Sequence, residues 1–191
     1  VAATWQDFSW VVDDYEWVET SVSFTFVRHD DPASVLAALT TEIHGTVVGL
    51  DGVNSDVDMV GVTQLGNWVL AVAPSTAGLA DELMAPLSMG GEALTCAITV
   101  GPSYFAQWVD GRGTAFFDSL LKSGPGFDDP NSPWRQGMRV AGVDPNSEGP
   151  LPDGRFHVLE TSLAMIANHT GVAITPELLR SASFHIGDSI E

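Results

Sequence analysis

The sequence predicts an α+β fold: an antiparallel sheet of about five to seven strands, with inserted short helices and a C-terminal helical segment. Three observations lead there. Short alternating or β-branched apolar runs crowd the chain before Leu121, and turn-forming residues join several of them. Helical spacing then takes over, with no regular strand–helix alternation anywhere. One domain is expected over 1–191, with a helix-plus-sheet core at 1–121 and a loop-rich helical part at 122–191. A length of 191 residues suits that reading, because domains cluster near roughly 100–150 residues and often exceed that.

Trp5, Phe8, Val12, Tyr15 and Val18 recur at three- and four-residue steps, as on one helix face. Trp10 and Trp17 fall off that stripe. Ser21 to Arg28 alternates polar residues with Val22, Phe24 and Phe26, the pattern of a half-buried strand. Asp31-Pro32 reads as an N-cap followed by proline at the first helical position, opening a helix through Val35, Leu36 and Leu39 that Gly45 stops.

Strand signals follow. Thr46 to Leu50 is β-branched and apolar, and Asp51-Gly52 marks a turn. Met59 to Gln64 and Asn67 to Ala73 flank Leu65-Gly66 as a tight hairpin. Leu79 to Leu87 suits a short helix limited by Pro86. Glu92 to Val100 and Tyr104 to Val109 are further strands. The segment Asp110-Gly111-Arg112-Gly113 then joins the latter to Thr114-Ala115-Phe116-Phe117, the strongest hairpin signal in the chain.

After Leu121 the stretches Ser123 to Pro133 and Asp144 to Gly154 are loops, and Trp134 to Ala141 between them is a short helix. Arg155 to His169 places Phe156, Leu159, Leu163, Ile166 and Ala167 at helical spacing, closed by Gly171. Thr175-Pro176-Glu177 opens a last helix.

Composition narrows the function classes. The apolar fraction of 45% is ordinary for a globule, and six Trp and nine Phe supply large core anchors. Against 25 Asp+Glu stand only 7 Lys+Arg, a net charge of −18 with neutral His. The anomaly is missing base rather than surplus acid, and Lys122 is the only lysine. An acidic field disfavours nucleic acid and anionic membrane, which both need cations to neutralise phosphate. It favours a cationic partner, or serves solubility alone. Cys96, the only cysteine, lies in an apolar run and reads as a buried structural thiol. No signal peptide is read at Val1-Ala2-Ala3-Thr4-Trp5, and no apolar run approaches the ~20 residues of a membrane span. The simplest location is the cytosol.

Several stretches carry a resemblance. Phe24-Thr25-Phe26-Val27-Arg28 leading into Asp31-Pro32 and Val35-Leu36, then Asn67-Trp68-Val69-Leu70-Ala71-Val72, resemble elements of a widespread actinobacterial family of uncharacterised function. Phe105, Trp108, Asp110-Gly111-Arg112 and Phe117-Asp118 resemble its aromatic hairpin. Leu163-Ala164-Met165, Gly171-Val172 and Ile174-Thr175-Pro176-Glu177-Leu178-Leu179 are similar to its closing helix pair. The resemblance implies a single cytosolic bacterial domain. It brings no activity, cofactor or site residue. Ala73-Pro74-Ser75, where an acidic residue is often expected, and a lower basic content depart from the pattern.

Chemical constellations are weak. Five histidines include no pair at the i, i+4 spacing of zinc hydrolases, and no Cys cluster exists. His157 and Glu160 stand at i, i+3, the spacing of a di-metal element but in reversed order. His29-Asp30-Asp31 could supply a general base, yet Pro32 makes Asp31 a better helix cap. Asp51, Asn54, Asp56 and Asp58 lack the glycine and glutamate of a calcium loop. No nucleophile elbow, dinucleotide fingerprint or P-loop appears. No catalytic residue, cofactor or metal is therefore assigned.

What remains is Asp13, Asp14, Glu16 and Glu19 interleaved with Trp10, Tyr15 and Trp17. Trp10, Asp13, Asp14, Glu16, Trp17 and Glu19 are the candidate partner-binding residues, because charge steers encounter and aromatics anchor interfaces. The bland alternative is a solvated acidic face with its aromatics buried. The expected function is a non-enzymatic acidic protein-binding module, immunity- or antitoxin-like in its most concrete form, neutralising a basic partner protein. The alternatives are a small hydrolase with dispersed His and Asp residues, or a structural or regulatory subunit of an assembly. A pocket joining His29 or His44 to buried carboxylates would favour the enzyme; a broad acidic face studded with aromatics would favour binding.

Overall fold

The computed structural model describes residues 1–190. Among these residues eight strands make one sheet in which every neighbouring pair is antiparallel. They are β1 (Val22–Val27), β2 (Thr40–Val48), β3 (Met59–Leu65), β4 (Trp68–Ala73), β5 (Glu92–Ile98), β6 (Ser103–Val109), β7 (Arg112–Asp118) and β8 (Ser183–Ser189), in the spatial order β2-β8-β3-β4-β1-β5-β6-β7. Among the described residues seven α-helices accompany them: α1 (Ser9–Asp14), α2 (Pro32–Leu39), α3 (Leu50–Val53), α4 (Asp81–Leu87), α5 (Pro133–Val140), α6 (Val158–Thr170) and α7 (Pro176–Ser181). The fold is α+β with a single antiparallel sheet, and the strand count is eight rather than five to seven.

Side-chain alternation divides the sheet into two dressed faces. Phe24, Phe26, Leu70, Val72, Leu94, Cys96, Phe105 and Phe117 point to one cluster, completed by Leu159, Leu163 and Ile166 of α6 and by Phe8, Val12, Tyr15 and Val18. Val60, Val62, Val69, Ala71, Ala73, Ala93, Ala106 and Trp108 point to the other, under Val35, Leu36 and Leu39 of α2 and Met84 of α4. β1 is therefore buried along its whole length, not half-buried as its alternation suggests. Its Thr25 is satisfied inside: the Thr25 and Thr95 hydroxyls lie 2.9 Å apart, and Thr95 Oγ1 donates to the Gly78 carbonyl at 2.7 Å. Gly78 sits so close that a Cβ there would meet Thr25 Oγ1 at 2.0 Å.

Several elements form as their residues dictate. Asp31 caps α2 by accepting from the amides of Ala33 and Ser34. Ser132 and Thr175 cap α5 and α7 the same way, each followed by proline. Asp110 (φ 48°) and Gly111 (φ 77°) both adopt the left-handed conformation that a two-residue hairpin turn between β6 and β7 requires.

Four expectations need correction. The stripe from Trp5 to Val18 is not one helix but α1 between two 3₁₀ turns, Trp5–Phe8 and Glu16–Glu19, although Phe8, Val12, Tyr15 and Val18 are buried as expected. β2 starts at Thr40, directly after α2, so Gly45 lies inside a strand at a register shift instead of ending a helix. Leu50 and the Asp51-Gly52 pair belong to α3. The C-terminal part is also not purely helical. His185 lies on β8, which inserts between β2 and β3 in the interior of the sheet.

Candidate functional site

A cleft of about 420 Å³ opens where four pieces of chain meet: the N-terminal segment through Val12, Val18 and Glu19, the β5–β6 connection from Ile98 to Ser103, Leu120 after β7, and the approach to and start of α6 from Arg155 to Glu160. Val12, Val18, Ile98, Leu120, Phe156 and Leu159 give it apolar walls. Its size falls within the range of small-molecule and side-chain pockets. Phe156 is 44% exposed and Val100, in the same β5–β6 connection, is 85% exposed, so apolar surface continues outward from the cleft.

The cleft is built on an unusual helix start. His157 precedes α6 with φ 47° and ψ 45°, a left-handed conformation that a non-glycine residue adopts at a cost of order 1–3 kcal/mol. The imidazole is almost wholly buried, and both its nitrogens face carboxylates: Nδ1 lies 2.7 Å from Glu160 Oε1 and Nε2 lies 2.5 Å from Asp153 Oδ2. The indole of Trp5 stacks on the ring at 3.9 Å. Burial pulls the imidazole pKa down, but the hydrogen bonds and charges of Asp153 and Glu160 outweigh it, and the net value is raised. Asp153 is correspondingly held below the ordinary carboxylate value by its bond from His157. Both ring nitrogens are therefore engaged by carboxylates, which leaves neither free for a substrate proton.

Glu160 is the buried carboxylate of the cleft. Its Oε1 pairs with His157 Nδ1 at 2.7 Å. At the rim, Arg155 Nη2 donates to Glu19 Oε1 at 3.0 Å.

The structure separates the sequence-predicted site residues into two groups. Asp13, Asp14, Glu16 and Glu19 are all exposed, and Glu19 reaches the cleft. The indoles of Trp10 and Trp17 are instead partly buried against the core. Trp10 Nε1 donates to the Asp7 carbonyl at 3.0 Å, while Trp17 Nε1 is buried without a partner. Asp14 stands 4.0 Å from Arg180.

The cationic side chains are largely engaged within the molecule. Lys122 Nζ donates to the carbonyls of Asp144 at 3.0 Å and Ser147 at 2.5 Å, and Arg135 donates to Asn146 while lying over Phe127.

The other histidines lie apart from the cleft. His44 Nε2 is 2.7 Å from Asp188 Oδ1, His29 Nδ1 accepts the Asp31 amide, and His169 Nε2 is 2.8 Å from Glu92 Oε1. A pocket does join a histidine to a buried carboxylate, but the histidine is His157 rather than His29 or His44. Cys96 is enclosed between β1 and β6, and burial pushes its thiol up to about 12.

Fold and site together define an α+β protein with an amphipathic cleft flanked by an acidic N-terminal segment. The chain belongs to the family of unknown function DUF6461, whose model matches residues 1–189. No curated protein and no solved structure matches it. No helix among the described residues is long and apolar enough to cross a membrane.

Proposed function

We propose that the protein is an acidic protein-binding module that captures a basic partner protein at the cleft between its N-terminal segment and the start of α6. One observation carries this reading: the exposed carboxylates Asp13, Asp14, Glu16 and Glu19 run directly into an apolar cleft through Glu19. Long-range attraction and an apolar anchor point are thereby adjacent, the combination that steers and then holds a partner. A net charge of −18 extends the attraction over the surface. Aromatic anchoring shifts from Trp10 and Trp17, which support the core, to Phe156 at the cleft. Neutralisation of a basic protein, as by an immunity protein or antitoxin, is the concrete form of this role, and a bacterial cytosol is its setting.

The hydrolase alternative gains less support. The histidine at the cleft has both nitrogens engaged, and the thiol is sealed in the core.

The test is binding of synthetic lysine- and arginine-rich peptides, with acidic peptides as controls, at low and physiological ionic strength. Saturable binding of the basic peptides that weakens with salt is expected. Equal affinity for acidic and basic peptides, or none for either, overturns the proposal.

A further inference from the structure

We infer that the small pocket adjoining the cleft at Phe156 is a binding site for a short-chain carboxylate, held by Lys122 and Thr161. The site goes beyond the protein-binding reading and does not depend on it.

The pocket, of about 80 Å³, lies between the chain after β7, Met138 of α5, the loop from Val143 to Leu151, and the first turns of α6. It shares Leu120, Phe156 and Val158 with the cleft. Thr161 of α6 lines it and points to an occupant. That residue is 3% exposed, and its hydroxyl is buried with no hydrogen-bond partner among the described residues. A helical threonine often turns its hydroxyl to the carbonyl four residues back. Here the His157 carbonyl receives the Thr161 amide at 2.9 Å and not the hydroxyl. A buried hydroxyl in that state is unfavourable, and a ligand oxygen beside it supplies what is missing. The Ser119 hydroxyl, also at the pocket, has a single long contact among the described residues, 3.5 Å from Ser162 Oγ.

Lys122 supplies the charge. An ammonium carries three N–H donors, and the carbonyls of Asp144 and Ser147 take two of them. The third has no acceptor among the described residues, and Lys122 lines the pocket. The nearby carboxylate of Asp144 is occupied elsewhere: its Oδ1 accepts from the Asn146 amide at 2.9 Å and from Asn146 Nδ2 at 3.3 Å. Burial holds the Lys122 ammonium below its ordinary value against the opposing charge of Asp144, so a further anion at Nζ is favourable. Leu120, Met138, Val143, Leu151, Phe156 and Val158 form the remaining walls and suit a short alkyl group. Size sets the limit, because benzene already needs a cavity of about 150 Å³. Acetate and propionate combine the charge, the acceptor oxygens and the small apolar tail. A net charge of −18 works against anions at the open surface, so selection has to come from Lys122 and Thr161 in an enclosed space.

The experiment uses the fact that Lys122 is the only lysine, so isotope-labelled lysine reports a single side chain. The full chain is titrated with propionate, with neutral propionamide and with bulky pivalate at constant ionic strength. Propionate is expected to shift the Lys122 side-chain signal and the Val158 and Thr161 amides saturably, at concentrations on the order of millimolar. Propionamide should bind about tenfold more weakly or worse, and pivalate should leave the signals in place. Thr161→Val keeps the side-chain volume and removes a hydroxyl that bonds to nothing in the chain, so it is expected to fold as the parent does. It should weaken propionate binding by about tenfold. Lys122→Gln, read at the amides, should lose at least as much, and Thr161→Val carries the test if that variant fails to fold. Absence of a saturable propionate shift overturns the inference. So does an equal response to pivalate, which would place the anion on open surface. Equal binding of propionamide removes the carboxylate assignment, and parental binding by Thr161→Val removes the site.

Discussion

Trp5 and His157, from opposite ends of the chain, stack with ring centroids 3.9 Å apart and planes 19° from parallel. The indole covers the imidazole from one side while two carboxylates hold its nitrogens, so the N-terminal segment is fastened to the start of α6. The Trp5 amide reinforces the junction by donating to the Ala141 carbonyl at 2.9 Å. The cleft wall that includes Val12, Val18 and Glu19 depends on this fastening.

Removing the indole should loosen that wall. Trp5→Ala is expected to destabilise the protein by about 2 kcal/mol, below the range for fully buried aromatics because Trp5 is only partly buried. Urea denaturation measures the loss. Unchanged stability would mean that the stack contributes nothing beyond contact.

Stability should depend on pH through His157. Its folded pKa lies above the ordinary 6.5, so its contribution is fully present below that value and is lost as pH rises through the folded value. His44, raised by its bond to Asp188, acts with the same sign. Asp153 acts oppositely: its folded value lies below the ordinary 3.8, so its contribution is present above 3.8 and is lost as pH falls through the folded value. Denaturation midpoints should therefore decline as pH is raised through the His157 titration. His157→Asn should flatten that decline, since asparagine tolerates the left-handed backbone while lacking the proton. His44→Asn should leave most of it. A parent protein whose midpoint is level across this interval contradicts the assignment.

The threonine pair beneath Gly78 offers a sharper packing test. Thr95→Val leaves the Gly78 carbonyl and the Thr25 hydroxyl without their partner in a dry interior, at an expected cost of about 1–3 kcal/mol. Gly78→Ala should cost at least as much, because its methyl has no room beside Thr25. Both are read from thermal or chemical melts. A neutral Gly78→Ala would show that the 3₁₀ turn at Ala77–Leu79 can lift from the sheet.

Cys96 should report global opening. With its thiol buried and pushed up to about 12, it is expected to resist alkylating reagents in the native state and to react promptly in denaturant. The alkylation rate against urea concentration should follow the unfolding curve. Rapid labelling without denaturant would place the thiol in a locally opening segment.

Much of this architecture can be read locally. The caps at Asp31, Ser132 and Thr175, the turn at Asp110-Gly111 and the alternation of β3 to β7 are set by neighbouring residues, and these elements stand where the sequence indicates. β8 is different. Phe184 and Ile186 do alternate with polar neighbours, but they follow directly on the apolar steps of α7, and Gly187-Asp188 resembles a turn. The strand exists because β2 and β3, distant in sequence, supply hydrogen-bond partners on both sides. β2 is hidden for a related reason, since it begins at Thr40 without any breaker after α2. Within the site, the spacing of His157 and Glu160 is visible and the acidic run reaching Glu19 is recognised. The backbone reversal at His157, the reach of Asp153 and the lid formed by Trp5 are tertiary. No short window contains them.

The insertion of β8 between β2 and β3 constrains biosynthesis. During translation, β2 and β3 leave the ribosome well before the strand that must separate them, and any direct pairing between them has to be undone or avoided. Completion of the sheet thus waits for the last-made strand, a non-local step of the kind that slows folding. Nascent chains halted before Ser183 should carry β2 as a loose flap, open to chaperones and proteases until the closing strand slides home.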